Sequence, residues 1–122
     1  MGEQFGYQIV VADFNGDGFD DIAISAPTWS KLDSSLLSAN YGRVYIFIQN
    51  NTGSGKERFE RFAAVNGTKS GGQFGWVMLT PGDLDNDGFD DLFVSAPFYV
   101  ENDSDRGKGR YYNYHQFNFI KI

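Results

Sequence analysis

Residues 13–27 read DFNGDGFDDIAISAP, and residues 83–97 read DLDNDGFDDLFVSAP. Each phrase follows a QFG triplet, Gln4-Phe5-Gly6 and Gln73-Phe74-Gly75. The two copies keep the same internal order at a period of about 69 residues, the signature of a fold built by repeating one unit. Phe5–Pro27 aligns with Phe74–Pro97, the second copy carrying one extra residue before its first Asp. Farther on, YGRVYIFIQ at 41–49 aligns with KGRYYNYHQ at 108–116. Repeat 1 therefore spans about residues 4–72 and repeat 2 about 73–122.

The apolar runs in each unit read as strands. Tyr7–Ala12, Asp21–Ser25 and Arg43–Ile48 are rich in Val, Ile, Tyr and Phe, and Glu57–Val65 reads as a more charged outer strand. Pro27 and Pro97 stop the second run of each unit, because proline cannot donate to a continuing ladder. In Arg43–Ile48, Val44, Ile46 and Ile48 point one way and Tyr45 and Phe47 the other, so both faces are apolar. With no helix signal to cover such a strand, other sheets must do so. Small antiparallel sheets stacked face to face are β-propeller blades. The expectation is an all-β chain of about two four-stranded antiparallel blades, with a single β-sandwich as the alternative.

The acidic loops have the chemistry of a cation site. Counted from the first Asp, oxygen side chains fall at positions 1, 3, 5 and 9: Asp13, Asn15, Asp17 and Asp21, then Asp83, Asp85, Asp87 and Asp91. Gly18 and Gly88 stand at position 6, where a turn with φ > 0 lets the donors converge. The backbone carbonyl of Phe19 or Phe89 at position 7 completes each set. Oxygen-only ligands with several carboxylates suit Ca²⁺, so two Ca²⁺ sites are expected. An EF-hand needs a Glu at position 12, which here is Ile24 or Val94 inside a strand. Asp20 and Asp90, at position 8, are expected to face solvent or cap the turn.

Composition narrows the function classes. The net charge of −6 and the thin spread of ten Lys plus Arg give no basic stripe for nucleic acid. There is no apolar run long enough to span a membrane and no charged start leading into an apolar run. The opening MGEQFG reads as an initiator Met on a segment of a longer chain. The sequons at Asn50, Asn66 and Asn102 point to an extracellular, glycosylated parent. No nucleophile–base pair emerges: cysteine is absent, and the one histidine, His115, lies in a Tyr-rich strand-like run. The chain is read as non-enzymatic. Trp29 and Trp76 are read as packing residues, Trp76 as core.

Phe5-Gly6, the Asp-x-Asn-x-Asp-Gly-x-x-Asp loop, Ser25-Ala26-Pro27 and Gly42-Arg43-Val44-Tyr45 together resemble the FG-GAP repeat of integrin α-subunit β-propellers. The same repeat occurs in glycosylphosphatidylinositol-specific phospholipase D. The resemblance covers nearly the whole chain. Two departures stand out: Ser-Ala-Pro where the family usually has Gly-Ala-Pro, and Gly109-Arg110-Tyr111-Tyr112 in the second GRVY position. The resemblance implies a partial β-propeller over 1–122, since the family closes its ring with more units than two. It also implies an extracellular or cell-surface adhesion or ligand-binding parent, or a non-catalytic propeller of a secreted phospholipase D-type hydrolase. The expected partners are a protein ligand or neighbouring blades, with self-association through open blade faces carrying Val44, Tyr45, Ile46 and Phe47. The variable loops 28–41 and 98–108, with Trp29, Leu32, Leu36, Leu37, Phe98 and Tyr99, fall at the end of the blades opposite the metal loops, as a candidate recognition face.

Overall fold

A computed structural model of the chain describes residues 3–30, 40–51, 57–68, 71–98 and 116–120. Among them every regular element is a strand: β1 Ile9–Ala12, β2 Asp21–Ala26, β3 Arg43–Asn51, β4 Glu57–Asn66, β5 Met78–Gly82, β6 Asp91–Ala96 and β7 Gln116–Ile120. β1 to β4 form one antiparallel sheet in chain order, and β5 to β7 form a second. These are the all-β meanders expected of propeller blades, the second showing three strands among the described residues.

The QFG and SAP motifs are two halves of one device. Gln4 and Gly6 take φ of 56° and 92°, and Gln73 and Gly75 take 56° and 97°, turning the chain into the first strand. The Gly6 N–H donates to the Ser25 carbonyl at 3.0 Å, and Gly75 N–H to that of Ser95 at 3.0 Å. The serine hydroxyls accept the next free amides, Gln8 N–H at 3.1 Å and Val77 N–H at 2.9 Å. Because Tyr7 and Gln8 are spent in this turn, β1 begins at Ile9 rather than at Tyr7.

The extra residue of the second repeat is a β-bulge. Leu79 faces Phe93 and Gly82 faces Asp91, so β5 carries one residue more than its partner. The third strand of the second sheet departs from expectation. Arg43 pairs with Ala26, but the residue opposite Ala96 is Gln116, not Arg110. The strand is QFNFI, and of the expected 108–116 only Gln116 lies within the described residues. The observed register puts Phe117 and Phe119 at the places that Val44 and Ile46 hold in the first sheet, so apolar strand formers keep both positions, where the motif alignment would bring Tyr111 and Asn113.

The two sheets share one core. Ala23, Val44 and Ile46 of the first pack with Phe74, Met78, Leu92 and Val94 of the second. At the seam Phe74 pairs with Gly42 in an isolated parallel bridge, and its N–H donates to the Tyr41 carbonyl at 3.1 Å. A Cβ on Gly42 would overlap the Phe74 main chain, so glycine is what allows the sheets to approach. Val44 and Ile46 are thus inside the junction and not on an open face, a correction to the expectation. The outer face of the first sheet carries Phe5, Ile9 and Val11, with Phe5 edge-on to Tyr45 at 5.2 Å and to Phe47 at 6.5 Å.

Candidate metal centre

Both acidic loops join the first and second strands of their sheets. In the second, Asp83 closes the curl from within: its Oδ1 accepts from Asp87 N–H at 3.1 Å and its Oδ2 from Gly88 N–H at 2.7 Å. Asp87 Oδ1 accepts from Phe89 N–H at 3.0 Å, and Asp91 Oδ2 accepts from Leu84 N–H at 2.7 Å. Gly88 has φ of 89°, as position 6 requires. Position 4 is left-handed too, at Gly16 with 74° and Asn86 with 59°, a need that Asn and Gly signal by type. The result is a group of three acids, Asp83, Asp85 and Asp91, each with an oxygen within 4.8 Å of the others. Asp91 is fully buried at the root of the group and Asp85 is exposed at its mouth. All the donors are carboxylate oxygens, the set that a hard divalent cation takes.

The first loop repeats the curl with a weaker charge. Asp13 Oδ1 accepts from Gly16 and Asp17 N–H at 2.8 and 3.2 Å, and Oδ2 from Gly18 N–H at 2.8 Å. Asn15 stands where Asp85 does, and its Nδ2 donates to Asp17 Oδ2 at 3.2 Å. Asp17 Oδ1 accepts from Phe19 N–H at 2.9 Å. Asp21 is fully buried, with Oδ2 accepting from Phe14 N–H and Oδ1 from Gln49 N–H, both at 2.9 Å. Burial lifts its pKa above the ordinary 3.8; the two N–H donors oppose that, and the charge of Asp17 adds to it. Among the described residues only the second loop gathers three acidic side chains within 4.8 Å. Asp87 lies outside that group, and the first loop's donors bind one another and their own main chain.

Position 8 behaves differently in the two loops. Asp20 is exposed, as expected. Asp90 does not face solvent: its Oδ2 accepts from Asp13 N–H at 2.9 Å and its own N–H donates to the Asp13 carbonyl at 2.9 Å. Sequence spacing could not show this, because the partner belongs to the other repeat. Trp76 is half-buried, stacked on Tyr7 at 4.9 Å and edge-on to Phe98 at 5.9 Å. Trp29 holds the Arg43 guanidinium 3.7 Å above its ring, so it packs within the blade. Leu32, Leu36, Leu37, Tyr99 and His115 lie outside the described residues.

Comparison with known proteins bears on this arrangement. The FG-GAP repeat matches residues 5–47, and the FG-GAP-like repeat matches residues 33–94, just over half of the chain. The chain belongs to the FG-GAP repeat family. This FG-GAP chain is 36% identical over 115 residues to integrin alpha-PS2 of Drosophila melanogaster, covering 94% of the chain and 8% of that protein. It is 33% identical over 113 residues to integrin alpha-8 of Homo sapiens, covering 93% of the chain and 10% of the relative. With integrin alpha-IIb of Mus musculus the identity is 34% over 99 residues, 80% of the chain and 9% of the relative. The FG-GAP chain thus spans about a tenth of the length of these relatives.

Proposed function

We propose that the chain is a Ca²⁺-binding FG-GAP β-propeller segment of an extracellular or cell-surface adhesion or ligand-binding protein, integrin α-like and non-catalytic, in which the ion is a structural brace. The observation that carries this reading is the convergence of Asp83, Asp85 and Asp91 in a chain similar to integrin alpha subunits over most of its length. In the second site Asp83, Asp85, Asp87, Asp91 and the Phe89 carbonyl would hold the ion. In the first, Asp13, Asn15, Asp17, Asp21 and the Phe19 carbonyl would. Ca²⁺ supplies charge that offsets the crowded carboxylates and fixes the loop ends of two neighbouring strands. The partners are a protein ligand or further blades. The sequons at Asn50, Asn66 and Asn102 agree with an extracellular, glycosylated parent.

Isothermal titration of the folded chain with Ca²⁺ tests the reading. At millimolar Ca²⁺ each site should add about 0.4–1.4 kcal/mol of stability, for affinities typical of extracellular modules. The second site should bind more tightly, since it offers Asp85 where the first offers Asn15. Asp85→Asn and Asn15→Asp should narrow or reverse that order. No uptake up to roughly 10 mM, well above the range of such modules, would sink the proposal.

A further inference from the structure

The two acidic loops touch at two points. At the first, Asp90 holds both polar groups of the Asp13 main chain, accepting from its N–H and donating to its carbonyl, although the two residues are 77 positions apart. At the second, Gly16 lies against the second loop: a Cβ there would stand 2.6 Å from the Gly88 carbonyl oxygen and 3.2 Å from the Phe89 ring. Asp13 is the residue whose carboxylate closes its own loop onto Gly16, Asp17 and Gly18. Asp90 therefore grips the first loop at the residue that organises it. Asp20, at the same position of the first loop, is exposed, so the grip comes from the docking of the blades and not from the loop sequence.

We infer that Asp90 is a positioning residue for the neighbouring loop and that it couples divalent-cation uptake at the two loops. The coupling half rests on the reading that the loops bind ions. Asp90 sits between Phe89, whose carbonyl is a proposed ligand, and Asp91, a member of the acidic group. An ion on the second loop orders the segment 89–91. That order passes through Asp90 to the main chain from which the Asp13 carboxylate projects. Ordering that the first loop's ion would otherwise impose is then already in place, and each ion strengthens the other by the same factor. Asp90 could also act by its charge alone. Asp90→Asn separates the two, because it keeps an acceptor oxygen and removes the charge.

The test uses the whole chain, Ca²⁺ as the probe, and two readouts. In metal-free protein, hydrogen exchange at the Asp13 amide should speed up about tenfold in Asp90→Ala, a factor that a single hydrogen bond supports without its charge, and Asp90→Asn should restore most of the protection. In titrations the second loop, the tighter, fills while the first is empty, so Asp90→Ala should leave its uptake unchanged and weaken the later uptake at the first loop about tenfold, with Asp90→Asn recovering it. Emptying the second loop with Asp83→Asn and Asp85→Asn should weaken the first loop in the natural background but not in Asp90→Ala. Equal losses at both loops, an unchanged first loop, or failure of Asp90→Asn to rescue would each overturn the inference. If Asp90→Ala does not fold, Asp90→Ser, whose shorter side chain withdraws the acceptor from the Asp13 N–H, must give the same first-loop defect. If the natural chain takes up no Ca²⁺, the coupling falls with the proposed function, and metal-free protection of Asp13 decides the positioning role by itself.

Discussion

Ser25 and Ser95 are buried, and each accepts a main-chain amide that the preceding turn leaves free. Ser25→Ala or Ser95→Ala should cost about 1–2 kcal/mol in urea unfolding, the penalty of stranding a part-buried N–H. A loss below about 0.5 kcal/mol would show that water takes the hydroxyl's place. Asp21 gives a second prediction at this scale. Its folded pKa is raised, chiefly by burial, so the metal-free fold binds this proton more tightly than the unfolded chain does. Above the raised pKa the fold carries the full cost of the buried charge. As pH falls through that pKa toward 3.8 the cost is relieved, and below 3.8 nothing more is gained. A carbon-detected titration of the Asp21 carboxyl should show a midpoint above 3.8 without metal and a lower one with Ca²⁺. A metal-free midpoint at or below 3.8 contradicts the assignment. The spacing of the oxygen donors and the left-handed glycine at position 6 were legible in the sequence, because both follow from local chain geometry. The role of Asp90 was not, since no local pattern reveals what packs across a blade junction.

Gly82 shows what a single added residue does to a strand. It sits at the bulge of β5 with φ of 92°, and a Cβ there would meet nothing within 4 Å. Gly82→Ala should therefore cost only backbone strain, about 1–2 kcal/mol. Gly42→Ala adds overlap with the Phe74 main chain to a φ of 82° and should cost clearly more, on the order of 3 kcal/mol or above. Equal losses in denaturant unfolding would mean that the junction yields where the structure makes it rigid. β2, β3, β4 and β6 were legible from their apolar runs and from the prolines that close β2 and β6, with ends off by no more than three residues. β7 was misplaced. The alignment followed the GR pair, whereas the strand that pairs with β6 is the alternating run QFNFI. The Arg43 side chain is occupied locally, by Asn66 at 2.6 Å and by the Trp29 ring.

The repeat lets the molecule act as its own reference for burial. Phe74 is 3% exposed and Met78 4%, sealed by the preceding blade, while their counterparts Phe5 and Ile9 are 51% and 58% exposed. Leu92 and Val94 are fully buried, and the matching Ile22 and Ile24 are half-buried. The first sheet therefore presents, uncovered, the same apolar surface that another blade covers in the second. Leu79 and Val77 leave the second sheet's outer side partly apolar as well. Fully covering one large apolar side chain is worth about 1.5–3 kcal/mol, and these are already about half covered, so each adds roughly half of that and two or three per face favour association. Light scattering across a concentration series should show the natural chain above its 13.7 kDa monomer mass. The double variant Phe5→Ser and Ile9→Ser should return it toward that mass, with the β-sheet signal and the melting temperature nearly kept, because both side chains are already half in solvent. Phe74→Ser, by contrast, should unfold the seam between the sheets, since the same chemistry there removes a buried side chain. A natural chain that stays at 13.7 kDa at all concentrations would mean that the exposed face is tolerated as it stands, and the proposal of blade-to-blade association would be wrong.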